Sequence, residues 1–240
     1  NLSQLLRGVG TNSPTLPCPA MNEKFIVLAI DGGAASGKST TAKTLTQAMS
    51  LMHVDTGSHY RALCLKLLEK KVSANDERLG KVLGALTLDT EITGNQGRIR
   101  LDGKVPDPDE LRSDLVNEKV SFFAAQPDVR EKLLGYQQSL AEVAESAGFS
   151  GLVMEGRDIG SVIYPDAQVK VFLQADERER KKRREAEGQT DAISLRDKMD
   201  TTRKNAPLAC PDGALVIDTG RHSIDQVVGM VLDLAEKARS

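Results

Sequence analysis

Residues 25–41 read FIVLAIDGGAASGKSTT. The first six, 25–30, are an unbroken apolar run, as expected of a strand buried on both faces of a parallel sheet. Asp31 ends the run, and Gly32-Gly33-Ala34-Ala35-Ser36-Gly37-Lys38-Ser39 meets the pattern G-x-x-x-x-G-K-[ST] at each fixed position. Small side chains let successive backbone N–H groups turn around a phosphate, and the helix that follows adds the positive end of its dipole. In this pattern Lys38 reaches the β- and γ-phosphates and the Ser39 hydroxyl holds Mg²⁺. Ala42, Leu45 and Met49 give that helix one apolar face. Strand, loop, Lys-Ser and amphipathic helix arrive in the order a triphosphate site requires, so residues from Gly32 through Thr40 are assigned to a nucleoside triphosphate, ATP.

Working outward, residues 51–55 read as a second strand, and Ser58 as the cap of a helix carrying Tyr60, Leu63, Leu67 and Leu68. Helices are expected over 76–86, 113–125 and 127–148, the last opening on Pro127. Between them, 88–105 holds two short alternating segments broken by Gly94-Asn95-Gln96-Gly97 and by Asp102-Gly103, a small antiparallel insert. Further buried strands fall at 151–155, 168–173 and 214–218, and an amphipathic helix on Ile224, Val227, Val228, Val231 and Leu232 closes the chain. Alternation of this kind predicts a doubly wound α/β sheet with ligands gathered beyond the carboxyl ends of its strands. The loop at Gly32–Ser39, the turn from Asp55 to Arg61 and Gly156-Arg157-Asp158 should therefore converge.

The 240 residues, 28% charged and 40% hydrophobic, suit one large domain with a packed core. A net charge of −2 argues against a general nucleic-acid binder, and three Tyr with no Trp against a base-stacking platform. No apolar run approaches the ~20 residues of a membrane helix. Cys18, Cys64 and Cys210 are scattered and odd in number, which reads as reduced thiols in the cytoplasm. Residues 1–20, rich in Ser, Thr, Pro and Gly, read as a flexible extension, with the domain over 21–240. Arginines near strand ends, above all Arg61 and Arg157, suggest a second anionic substrate, because guanidinium forks bind phosphate bidentately.

Six stretches sharpen this: IDGGAASGKST (30–40), DTGSHYRA (55–62), LRSDLVNEKVSFFAAQPDVR (111–130), EGRDIGSVIYPDA (155–167), RDKMDTTRKNAPL (196–208) and ALVIDT (214–219). Together they resemble the bacterial-type cytidylate kinases, P-loop nucleoside monophosphate kinases that phosphorylate CMP and dCMP from ATP. The resemblance implies a P-loop core of five parallel strands, an acceptor-binding insert at about 86–113 and a short lid at about 178–197. It implies that Ser121, Arg130 and Asp158 read the cytosine, that Arg61, Arg157 and Arg203 clamp the acceptor phosphate, and that Arg196 and Asp200 meet the ribose. Thr56 and Tyr60 would line the same pocket, and Arg180 and Arg184 would close over the ATP phosphates. Lys38, Arg157 and Arg203 would be catalytic, with Mg²⁺ on Ser39 directly and on Asp55 and Glu155 through water. The chain departs from the family pattern at Gly33, where proline is usual, at His59, and in a shortened 184–196. His53 and His222 read as structural and His59 as pocket lining at most. A monomer is expected, with small nucleotides as its partners and neither nucleic acid nor membrane. Two other readings stand beside this one. The first is a kinase of UMP, dTMP or a hydroxyl acceptor, and the second is an ATP-binding regulator without catalysis.

Overall fold

The computed structural model describes residues 24–186 and 207–240, together with Thr201. Along the chain run β1 (Ile26–Gly32), α1 (Lys38–Met49), β2 (Met52–Asp55), α2 (Thr56–Glu69), α3 (Leu79–Ala85), β3 (Leu88–Thr93) and β4 (Gln96–Leu101). There follow α4 (Asp114–Ala124), α5 (Pro127–Ser146), β5 (Gly151–Gly156), β6 (Val169–Gln174), α6 (Glu177–Ala186), β7 (Leu215–Asp218) and α7 (Ile224–Arg239). The sheet order is β3-β4-β2-β5-β1-β6-β7, and the last five of these are mutually parallel. The α/β core with five parallel strands is thus present, with β1 at its centre.

All seven residues of β1 are buried, and the pleat divides them between two layers. Ile26, Leu28 and Ile30 pack with Leu45 of α1 and with Val227 and Val231 of α7. On the other face, Val27 and Ala29 pack with Leu140 and Ala144 of α5. Each such aliphatic burial is worth about 1.5–3 kcal/mol, so a polar residue at Leu28 would break the layer. A third cluster lies under the insert, where Leu63 and Leu67 of α2 meet Leu83, Ile99, Val116, Phe123 and Leu133.

Three local expectations are adjusted. The insert is a hairpin with a two-residue turn at Gly94-Asn95, and it does not stand apart from the sheet. The His53 N–H donates to Asn95 O at 2.7 Å and His53 pairs with Gln96, which joins β4 to the edge of β2. The helix after β2 starts at Thr56 and is capped by Asp55, whose side chain accepts from Gly57 N. The Ser58 hydroxyl instead donates to Asp55 O at 2.6 Å. Likewise α3 begins later than expected, because Asp76 is used in a turn where it accepts from Arg78 N.

Among the described residues no helix is long and apolar enough to cross a membrane. Cys64 is buried and Cys210 exposed, both as free thiols, while Cys18 lies outside the described residues.

Candidate active site

Parallel pairing puts the carboxyl ends of β1, β2 and β5 on one rim, and a cleft of about 390 Å³ opens there. Its walls come from four places: residues 34–40 of the loop, the β2–α2 junction from Asp55 to Arg61, the turn and helix carrying Arg112, Val120, Ser121 and Ala124, and Glu155 to Asp158 after β5. The three segments expected to converge therefore do so.

The loop is shaped by its backbone. Gly32 has φ +153°, and a Cβ there would lie 2.2 Å from Leu173 O, so strand pairing itself requires glycine. Ala35 is left-handed at φ +56°, a conformation that costs an L-residue about 1–2 kcal/mol and must be held by its surroundings. Every carbonyl from Gly32 to Ser36 meets a donor. Lys38 Nζ donates to Gly32 O (2.9 Å) and Gly33 O (2.7 Å), and Arg157 Nη1 adds a bond to Gly32 O (3.0 Å). Arg180 Nη1 donates to Ala34 O (3.2 Å), Arg183 Nη1 to Ala35 O (3.4 Å) and Thr219 Oγ1 to Ser36 O (3.1 Å). With its carbonyls so committed, the loop keeps its N–H edge for an anion.

Beside the loop, Ser39 Oγ donates to Glu155 Oε2 at 2.7 Å, and the other carboxylate oxygen meets His53 Nε2 at 2.9 Å. Burial pushes the Glu155 carboxyl up, but the His53 hydrogen bond and the charges of His53 and Lys38 outweigh it and hold the group below its ordinary value. Asp55, aligned with Glu155 across the β2–β5 pair, is raised by burial and then by the Glu155 charge. Two carboxylates and a hydroxyl form an all-oxygen donor set, and like charges that disfavour one another are what a hard dication relieves. These residues fit Mg²⁺.

Asp158, also on the cleft wall, is paired through Oδ2 with Arg130 Nη2, and both side chains are nearly excluded from solvent. The Arg130 guanidinium also lies 5.5 Å from the centre of the Tyr60 ring. A carboxylate in the position of Asp158 would ordinarily cap the turn that follows it. Here Asp31 takes that work, accepting from Ile159 N and Gly160 N at 2.8 Å each, so Asp158 is turned to Arg130. Burial pushes the Asp31 carboxyl up to about 6, against the pull of those two N–H groups. Close packing continues at Gly156, where a Cβ would come within 2.4 Å of Thr56 Oγ1. Arg61 Nη1 donates to Leu111 O (2.9 Å) and Asn117 Oδ1 (2.7 Å), which ties α2 to the segment bearing Arg112.

A family model described as Cytidylate kinase matches residues 28–237. The chain belongs to the cytidylate kinase family. It is similar to the cytidylate kinase of Chloroherpeton thalassium, 40% identical over 231 residues that cover 88% of this chain and 94% of that one. The cytidylate kinase of Exiguobacterium sibiricum is 41% identical over 229 residues, covering 90% and 99% of the two chains. That of Chlorobaculum tepidum is 38% identical over 237 residues, covering 90% and 95%.

In this member of the family, Thr56, Tyr60, Arg61, Ser121, Arg157 and Asp158 all line the cleft, and Arg130 reaches it through Asp158. Arg196, Asp200 and Arg203 lie outside the described residues. Arg184 falls in α6, and its side chain is outside the described part. His59 is not a lining residue. It is fully buried in α2 with neither ring nitrogen bonded, 5.2 Å from the Tyr136 ring, and burial drives its pKa from 6.5 to about 3. His53 is more than structural filling, since it grips Glu155, and His222 lines a smaller cavity of about 170 Å³ beside the loop. Sequence reasoning passed over Arg112, Arg183, Thr219 and Asp31. Only Arg112 carried a usable signal, as the lone cation in the acidic stretch 107–114.

Proposed function

We propose that this chain transfers the γ-phosphoryl group of ATP in line to the phosphate of CMP or dCMP, giving CDP or dCDP. The observation that carries the reading is a single cleft lined both by the phosphate loop with Lys38 and by Asp158, which is paired with Arg130. Family membership supports it over a hydroxyl-acceptor kinase or a silent ATP binder.

The chemistry asks little covalent work of the protein. A nucleotide phosphate has its second pKa near ~6, so the attacking oxygen is already ionised at neutral pH and no general base is needed. Lys38 and Arg157, each now hydrogen-bonded to Gly32 O, neutralise charge on the transferred group, together with Arg203. Ser39 would hold Mg²⁺ directly and Asp55 and Glu155 through water. When bound, that ion screens the phosphate charge. Arg61, Arg157 and Arg203 hold the acceptor phosphate, Arg196 and Asp200 the ribose, and Thr56 and Tyr60 the pocket wall. Asp158 accepts from the cytosine amino group while Arg130 and Ser121 donate toward O2 and N3. Uracil would set a carbonyl against that carboxylate, and sites built on such a defining group discriminate by up to ~10⁴. Arg180 and Arg184 serve the ATP phosphates, residues 86–113 the acceptor side, and 178–197 the lid. We read the protein as a cytoplasmic monomer acting on free nucleotides.

The test is phosphoryl transfer from Mg-ATP to a panel of CMP, dCMP, UMP, AMP and dTMP. CMP and dCMP should lead the panel, and a preference for any other acceptor would overturn the assignment.

A further inference from the structure

Arg183 joins three parts of the fold. Its Nη1 donates to Ala35 O (3.4 Å) and Thr219 Oγ1 (2.9 Å), and its Nη2 to Thr219 O (2.8 Å). Thr219, nine-tenths buried just past β7, passes its hydroxyl to Ser36 O at 3.1 Å, and its N–H donates to Gln174 O at the end of β6. One guanidinium and one hydroxyl thus connect α6, β6 and β7 to two consecutive loop carbonyls, at the point where Ala35 is held left-handed. The same two side chains wall the smaller cavity, about 170 Å³, which shares Gly37 and Thr40 with the main cleft.

We infer that Arg183 and Thr219 are positioning residues that hold the loop in its phosphate-receiving shape. The inference rests on the reading of the loop as a triphosphate-donor site. Among the described residues, the carbonyls of Ala35 and Ser36 meet side chains only through this pair. Without the pair, the left-handed turn at Ala35 loses what keeps its carbonyl outward, and the neighbouring N–H groups lose their common direction. Lysine has a single nitrogen and cannot reproduce a planar fork spanning Ala35 O, Thr219 Oγ1 and Thr219 O. Position along the cavity also allows a rival role, contact with a donor's base, and the two roles separate by ligand. A residue acting on the loop affects any triphosphate, whereas one acting on a base affects only a nucleotide.

The experiment measures Kd by calorimetry for Mg-ATP and for inorganic Mg-tripolyphosphate in the full chain and in R183Q, R183K and T219V. Steady-state KM and kcat with CMP, and melting temperatures, are measured alongside. Both ligands should weaken by a similar factor, about tenfold or more, in R183Q and T219V. R183K should not recover the loss, and KM for CMP should stay within about twofold. Weakened ATP with unchanged tripolyphosphate would overturn the inference, as would unchanged binding of both in a folded variant or full recovery by R183K. Should R183Q fail to fold, T219V carries the test, since it deletes one hydroxyl at nearly constant volume. If the unsubstituted chain bound neither triphosphate, the donor reading would fall and the inference with it. If it bound both while another acceptor replaced CMP, the measurement would stand unchanged.

Discussion

The two ends of the cleft are built differently. At the donor end, eight consecutive residues make a backbone cradle whose first five carbonyls all meet donors, so its shape is settled before any ligand arrives. At the acceptor end, the groups come from α2, α4, α5 and the turn after β5, and several hold one another or their own scaffold. Arg130 is spent on Asp158 and Ala124 O, and Arg61 bonds Leu111 O and Asn117 Oδ1. The lesson is that the donor end offers its ligand main-chain groups that side chains hold in place, and the acceptor end offers the side chains themselves.

The largest expected effect falls on Lys38, the side chain proposed to neutralise charge on the transferred group. Lys38→Ala should lower kcat by about 10³ or more while the melting temperature stays within a few degrees, read by a coupled assay and a thermal melt. A folded variant at near-normal rate would erase the distinction between the two ends. Next, Asp158→Asn should lower kcat/KM for CMP by about 10² while KM for ATP stays within about twofold. Equal damage to both substrates would mean that the ends are not separable.

Third comes the packing behind the acceptor end, where His59 is buried with both ring nitrogens unbonded. Its folded-state pKa of about 3 lies below the unfolded 6.5, so below pH 6.5 the unfolded chain takes up a proton that the folded chain refuses. Stability should therefore fall as pH drops, by about 2 kcal/mol between pH 7.5 and pH 5 from this group alone. His59→Met, filling the same space without polar atoms, should flatten that slope in denaturant titrations and raise stability at neutral pH by about 1 kcal/mol. Smallest, Arg112→Gln should raise KM for CMP about tenfold with kcat and KM for ATP little changed, because it is an exposed cation on the acceptor wall. An effect on ATP instead would move Arg112 to the donor end.

What could be read in advance follows the same division. The loop, its helix, the order of strands and helices and the hairpin all rest on contiguous pattern, and each appears close to where expected, the starts of α2 and α3 being the largest departures. The residues proposed for the acceptor were assigned only through resemblance, since nothing in the spacing of Arg61, Ser121, Arg130 and Asp158 says that they meet. On α6, Arg180 and Arg183 both reach loop carbonyls, while the side chain of Arg184, the arginine expected beside Arg180, lies outside the described part. Helical phase turns by about 100° per residue, so the choice among neighbouring arginines depends on how the helix is seated.

By itself the amino-acid sequence determined the donor loop. Glycine at Gly32, small residues after it and Lys38-Ser39 at the helix start are local requirements of one backbone path. Only the tertiary structure decided that Asp31 relieves Asp158 of its capping duty, that His53 meets Glu155, and that Thr219 answers Arg183. Those partners come from distant parts of the chain, up to 129 residues apart. Parallel register and sheet order, which no local pattern encodes, bring them within a hydrogen bond's length.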